Sequence, residues 1–241
     1  VGDRRSKEAL FDAFADVGKA LGNGRRAELI DVLVQGERHV DELADEIGQT
    51  VANTSFHLRV LATAGLVTTR RSGTRIYYRV ASGQVADLWV ALRTVAAEHH
   101  EQLQALAAAY LGDRSRLEQI SRVELAARIA TGDVVVVDVR PTAEYEAGHI
   151  AGAVSMPIDD LAARVDALPP DVDVVAYCRG PYCVFADDAV RFLGRRGRAA
   201  KRLEDGFPEW RRAALPVTVG RGDDPAVAPP RTETGIGTRR D

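Results

Sequence analysis

Up to Gly112 the apolar residues of this chain recur every three to four positions, and beyond it they gather in short runs separated by helical stretches. That change of period divides the chain more firmly than any other feature. Two domains are expected, at 1–112 and 113–219, and 241 residues are enough for each to bury a core of its own. In the first, Leu10, Phe14, Val17 and Leu21 mark one helix and Leu29, Ile30, Leu33 and Val34 a second, punctuated by Gly22 and Gly24. VDELADEIG makes a third, closed by Gly48, and a fourth runs from about Ala52 to Ala64 before Gly65. LVTTRRSGTRIYYRV then reads as a hairpin turning at Ser72-Gly73. Val85, Leu88, Leu92, Val95, Leu103, Leu106 and Tyr110, with His99 in the missing place, form the seam of one long helix that packs against another helix.

In the second domain a short helix over roughly 118–129 precedes VVVVDVR, a buried strand. DVVAYC, a helix over 185–193 and AAKRLE complete a βαβ pattern, hence a parallel sheet. From 220 the chain has almost nothing to bury, and a disordered tail is expected over 220–241. With 28% charged residues and a formal net charge of -3, the composition is that of an ordinary soluble globular protein. No apolar run reaches the roughly 18 residues of a membrane span, and VGDRRSKEAL has no apolar signal core, so a cytoplasmic protein with no membrane partner is expected.

Three helices, a tight turn, a further helix and a hairpin are the order of a winged helix-turn-helix. Charge supports that reading independently, because no Asp or Glu occurs between Glu46 and Asp87, while Arg59, Arg70, Arg71, Arg75 and Arg79 do. Phosphate is the natural partner of such a surface. A gap in acids on a solvated face is the alternative. Winding the fourth helix at about 100° per residue puts Thr54, Leu58 and Leu61 inside and Ala52, Ser55, Phe56, Arg59 and Thr63 outside. Ser55 and Arg59 can donate to base edges or phosphates and Phe56 can touch a thymine methyl, unless it packs on a neighbouring helix. Arg70, Arg71 and Arg75 are expected to hold backbone or minor groove.

KALGNGRRAELIDVLVQGERHVDELADEIG, SFHLRVLATAGLVTTRRSGTRIYYRV and the helix after them resemble the ArsR/SmtB family of bacterial repressors over roughly 10–111. The resemblance implies a homodimer joined through first and last helices, bound to a double-stranded DNA operator. Many members sense metals. Here HVDELADEI carries no cysteine, and of a second common site only Asp87 and His100 are in place, beside Trp89 and Leu103, which leaves too few ligands for tetrahedral zinc. No metal or other cofactor is therefore expected.

DVRPTAEYEAGHIAGAVSMP, VVAYCRGPYCVFADDAVRFLGRRG and DGFPEWRRAALPV resemble, in order, the signature stretches of the rhodanese fold over about 120–219. The resemblance makes Cys178 the thiol that carries a sulfane sulfur. A cysteine at a strand end ahead of a helix N-terminus, with Arg179 beside it, is placed to ionise, the alternative being an inert buried cysteine. The loop departs from the usual pattern: Pro181 removes an N–H donor, and Cys183 stands where a substrate-contacting side chain is usual. The only other cysteine, Cys183 is close enough to resolve an oxidised or persulfidated Cys178 as a disulfide. Asp138, Arg140 and His149 belong to the signature and are expected to be structural, with Tyr177 packed. Three functions are open: a repressor that senses a small sulfur or oxidant signal through Cys178 and Cys183, a sulfurtransferase tethered to DNA, and a metal-responsive repressor. The first uses the basic stretch, the seam and the paired thiols together.

Overall fold

The computed structural model describes residues 2–221. The tail expected over 220–241 falls, past Arg221, outside the described residues. Polar caps start the first helices. Asp3 accepts from the Ser6 amide ahead of α1 (Arg4–Leu21), and Asn23 accepts from the Arg25 and Arg26 amides ahead of α2 (Gly24–Gln35). A short strand β1 (Arg38–His39) leads into α3 (Val40–Glu46), and Thr50 caps α4 (Val51–Thr63) through the Asn53 amide. Gly48 follows α3 with φ 60°, a conformation that other residues enter only with strain. The hairpin is β2 (Val67–Ser72) and β3 (Arg75–Val80), and β1 joins it on the far side of β3. Because Ser72 pairs with Arg75, the turn lies at Gly73-Thr74, one residue later than expected, with Gly73 at φ 61°. Leu29, Ile30, Leu33, Leu43, Leu58 and Leu61 fill the core of this unit.

The single long helix expected over 85–110 is two helices, α5 (Gly83–His99) and α6 (Leu103–Leu111), separated where His100 turns extended at φ -93° and ψ 102°. The polar run Glu98–Gln102 offers no apolar side chain to hold that part of the helix against a neighbour, and tertiary packing is what stabilises most protein helices.

The second unit opens with β4 (Gln119–Ile120) and α7 (Arg122–Thr131). The helix expected from about 118 thus begins later, because Ser121 caps it and Ile120 hydrogen-bonds into the sheet instead. There follow β5 (Val134–Asp138), α8 (Thr142–Ala147), β6 (His149–Ile150), β7 (Val154–Ser155), α9 (Leu161–Arg164), β8 (Asp173–Tyr177), α10 (Phe185–Arg195), β9 (Ala200–Leu203), α11 (Phe207–Arg212) and β10 (Val217–Thr218). The five-stranded sheet runs β4-β9-β8-β5-β7, every pair parallel, and β6 pairs with β10 apart from it. Successive side chains alternate between its two buried faces. Val137, Val174, Ala176 and Cys178 lie on one with α10, while Val136, Val175 and Tyr177 lie on the other with Phe207 and Trp210. Chain alternation therefore places Cys178 on the α10 face as soon as β8 ends.

Leu58 is fully buried on α4 beneath the exposed face. Leu58→Ala is expected to destabilise the N-terminal unit by about 2–5 kcal/mol, read as a lower urea midpoint.

Candidate functional site

On α4, Thr54, Leu58 and Leu61 are buried, Ala52, Phe56, Arg59 and Thr63 are exposed, and Ser55 is half-buried. Phe56 does not join the core and lies in an edge arrangement with the His57 ring, with centroids 5.6 Å apart. His57 went unremarked in the sequence. It is buried, and burial, helped by Arg26 and Arg25, holds its pKa below the usual histidine value. On the wing, Arg71 and Arg75 are exposed. Arg70 differs, since Glu37 pairs with it and the Tyr77 ring lies 4.9 Å beneath its guanidinium. Glu37 precedes the acid-free stretch in sequence and folds against it through β1, which no local pattern could disclose.

Cys178 is 2% exposed, and its sulfur is bonded to that of Cys183 across a Cα–Cα distance of 6.3 Å. Backbone contacts hold the loop. The Cys183 amide donates to the Gly180 carbonyl at 3.2 Å and the Phe207 amide to the Cys178 carbonyl at 3.1 Å. A Cβ on Gly206 would overlap the Gly180 nitrogen, so only glycine lets these two segments meet.

Arg179 enters a charge network that is buried at Glu144 and Arg38 and partly open to solvent at Glu46. Its guanidinium donates to Glu144 at 2.6 and 3.0 Å and to Glu46, and Arg38 donates to the same Glu144 at 2.8 Å. Arg38 and Glu46 belong to the N-terminal unit, Arg38 just ahead of α3 and Glu46 at its end. Burial opposes the charge on Arg179, yet the two carboxylates more than offset it and keep the guanidinium ionised; burial likewise opposes the Glu46 carboxylate, and Arg179 outweighs it. The positive charge expected to favour a thiolate is thus matched by two acids. Gln35, at the end of α2, donates to the Arg179 carbonyl at 3.2 Å and accepts from Arg140 at 3.1 Å.

Asp138 and Arg140 form a fully buried ion pair, with Arg140 also donating to the Gly148 carbonyl at 2.8 Å. Tyr177 donates its hydroxyl to Asp138 and accepts from the Ile150 amide at 3.1 Å; burial, then the Asp138 charge, drive its pKa well above that of a free phenol. His149 is buried, donates to the Tyr145 carbonyl at 2.8 Å and stacks on the Tyr145 ring at 3.6 Å. These groups pin strand ends and the turn around them.

Between the two units lies a cavity of 570 Å³ whose wall includes Cys183, Tyr182, Phe185, Trp89, Asp31 and Glu46. Trp89 donates to Asp31 at 2.6 Å, and Arg93 pairs with Asp31 and with Glu209, whose carboxyl burial pushes up. Of the two metal-site positions, Asp87 faces Arg212 at 3.6 Å and His100 sits at the break between α5 and α6. Among the described residues no three His, Cys, Asp or Glu side chains cluster to hold a metal. No helix among them is long and apolar enough to cross a membrane.

Residues 23–69 match the model of the bacterial regulatory protein, arsR family, and residues 121–213 that of the rhodanese-like domain. The chain is 49% identical to the HTH-type transcriptional regulator Rv0324 of Mycobacterium tuberculosis, over 92% of this chain and 99% of that protein. A sulfurtransferase of Allochromatium vinosum is 33% identical over 44% of this chain and 99% of its own. Among solved structures, the homodimeric winged helix-turn-helix DNA-binding domain from Mycobacterium bovis is 46% identical, with a TM-score of 0.40, covering 42% of this chain and 94% of that one.

Removing one partner from a buried charge network leaves the others uncompensated. Glu144→Gln is expected to cost about 3–5 kcal/mol, seen as a lower melting temperature; an unchanged melting temperature would mean that Arg38 and Arg179 do not depend on it.

Proposed function

The chain belongs to the ArsR family of bacterial regulatory proteins and carries a rhodanese-like domain behind its winged helix-turn-helix, and from that premise we infer that the thiol state of Cys178 and Cys183 sets how tightly it holds DNA. As a transcriptional regulator it meets its operator through α4, with Ser55, Phe56 and Arg59 toward the major groove. Arg71 and Arg75 take phosphate or minor groove, and Arg70 is turned toward Glu37. Leu10, Phe11 and Phe14 on α1 and Leu88, Leu92 and Val95 on α5 are all exposed. So large an unburied apolar stripe, on the helices expected to form the interface, fits a second copy of the chain, and two copies present two recognition helices to an operator. Bound there, the dimer acts as a repressor.

The observation that carries the sensing role is the ion pair from Arg179 to Glu46. Arg179 follows Cys178 directly, and Glu46 closes the first helix of the helix-turn-helix. A loop closed by a disulfide and one carrying two thiols, or a persulfide, differ in the positions open to Arg179. A signal acts only through such differential contacts between two states. A reactive sulfur species or an oxidant thus alters α3, and α4 behind it, through Cys178 and Cys183.

The Allochromatium sulfurtransferase favours a second reading, in which the rhodanese-like domain turns over a sulfur donor. The carboxylates on Arg179 and the missing N–H at Pro181 weigh against efficient use of thiosulfate. Steady thiocyanate release from thiosulfate and cyanide, lost in Cys178→Ser, would establish it.

Fluorescence anisotropy with upstream DNA tests the sensing role. A coupling of ordinary size changes affinity by roughly 5–150-fold between reduced and oxidised protein, and Cys178→Ser should bind alike under both conditions. Equal affinity of the wild type in both states would sink the sensing role. Independently, Arg75→Ala should lower the slope of log affinity against log salt by about one, as loss of one phosphate contact requires.

A further inference from the structure

The two cysteines are not equivalent toward the interdomain cavity. Cys178 lies in the apolar cluster between the sheet and α10, with Val137, Val174 and Leu193. Cys183 lies on the cavity wall. Any molecule that reaches this site from solvent through the cavity meets Cys183 first.

The wall also defines the kind of molecule. Trp89 and Tyr110 come from the DNA-binding unit, Tyr182 and Phe185 from the cysteine loop and the start of α10. Such a lining favours an organic body over a small inorganic ion. Three carboxylates, Glu28, Asp31 and Glu46, stand on the wall against the guanidiniums of Arg93 and Arg179. Both guanidiniums are already shared between acids, Arg93 between Asp31 and Glu209 and Arg179 between Glu46 and Glu144. An anion entering here finds no unshared cation. The three carboxylates are paired as well, Glu28 with Arg25, Asp31 with Arg93 and Glu46 with Arg179, but on the wall they outnumber the guanidiniums three to two, and an ammonium group finds that acidic surplus beside aromatic rings.

We propose that this cavity admits a small organic disulfide bearing ammonium groups, and that Cys183 is the first thiol to react with it. The proposal rests on the dithiol–disulfide cycle of the preceding section and names the reagent that drives it. The Cys183 thiolate attacks one sulfur of RSSR, a Cys183–SR bond forms, the S–S bond of the reagent breaks, and RS⁻ leaves. The Cys178 thiolate then attacks the Cys183 sulfur and expels the second RS⁻. The protein is oxidised by two electrons to the Cys178–Cys183 disulfide seen here, the reagent is reduced to two thiols, and the two protons lost by the cysteines end on them. Cys178, the position that the rhodanese resemblance makes the sulfur carrier, is the resolving thiol in this sequence of steps.

Intact mass and peptide mapping of the reduced full-length protein treated with cystamine test this. Cys178→Ser should trap one cysteamine on Cys183, whereas Cys183→Ser should gain its adduct more than about tenfold more slowly, because its remaining thiol is buried. Cystamine should outpace dithiodiglycolate, an anionic disulfide of similar size, by about tenfold or more in the Cys178→Ser protein at low salt. Equal labelling of the two cysteine variants overturns the order of attack. Equal rates for the two disulfides overturn the preference for ammonium. The readout is mass rather than DNA affinity, so adduct formation at Cys183 without any change in DNA binding would count against the sensing role and leave this site standing.

Discussion

A guanidinium taken out of water must be matched by carboxylates, and Arg179 finds its matches on both sides of a domain boundary. Glu144 comes from its own domain and Glu46 from the helix-turn-helix, with Arg38 shared through Glu144. None of the four could be moved alone without leaving a buried charge exposed to its neighbours' fields. The network therefore fixes how the rhodanese-like domain sits against the DNA-binding one, and Gln35 extends it to Arg140 and the Arg179 carbonyl. Because Arg179 is next to Cys178 in the chain, one of the ion pairs between the domains lies beside the cysteine loop.

The same geometry separates two demands that a conventional rhodanese loop combines. Holding Cys178 beneath α10 and binding its arginine to acids removes the free positive charge that an anionic sulfur donor would use. What remains accessible is Cys183, in a cavity whose walls come from both domains.

Much of the fold was legible from period and punctuation. Gly48 and Gly65, the valine run and the βαβ order lie where local chemistry puts them, because caps, turns and buried parallel strands are decided within a few residues. The errors came where local signals were weak: the helix seam ran on through the polar stretch before Leu103, and Gln119–Ile120 were read as helix when only pairing with β9 makes them strand. Cys178, Arg179 and Cys183 could be located from motif and spacing, and so could the nearness of the two thiols, but the partners of Arg179 could not. Glu46 and Glu144 are 98 positions apart and carry no pattern that marks them as partners of one arginine. The same holds for Glu37 against Arg70, a long-range pairing that lowers the free charge of the wing.

On the proposed reading, the state of the cysteine loop reaches the helix-turn-helix through Arg179. Amide hydrogen exchange of the full-length protein, disulfide-bonded and reduced, reads this most directly, because it reports opening segment by segment. Reduction should change protection not only in the 178–185 loop but also in α3 and at the start of α4, and Glu46→Gln should abolish the second change while keeping the first. A change confined to the loop in the wild-type protein would contradict that reading.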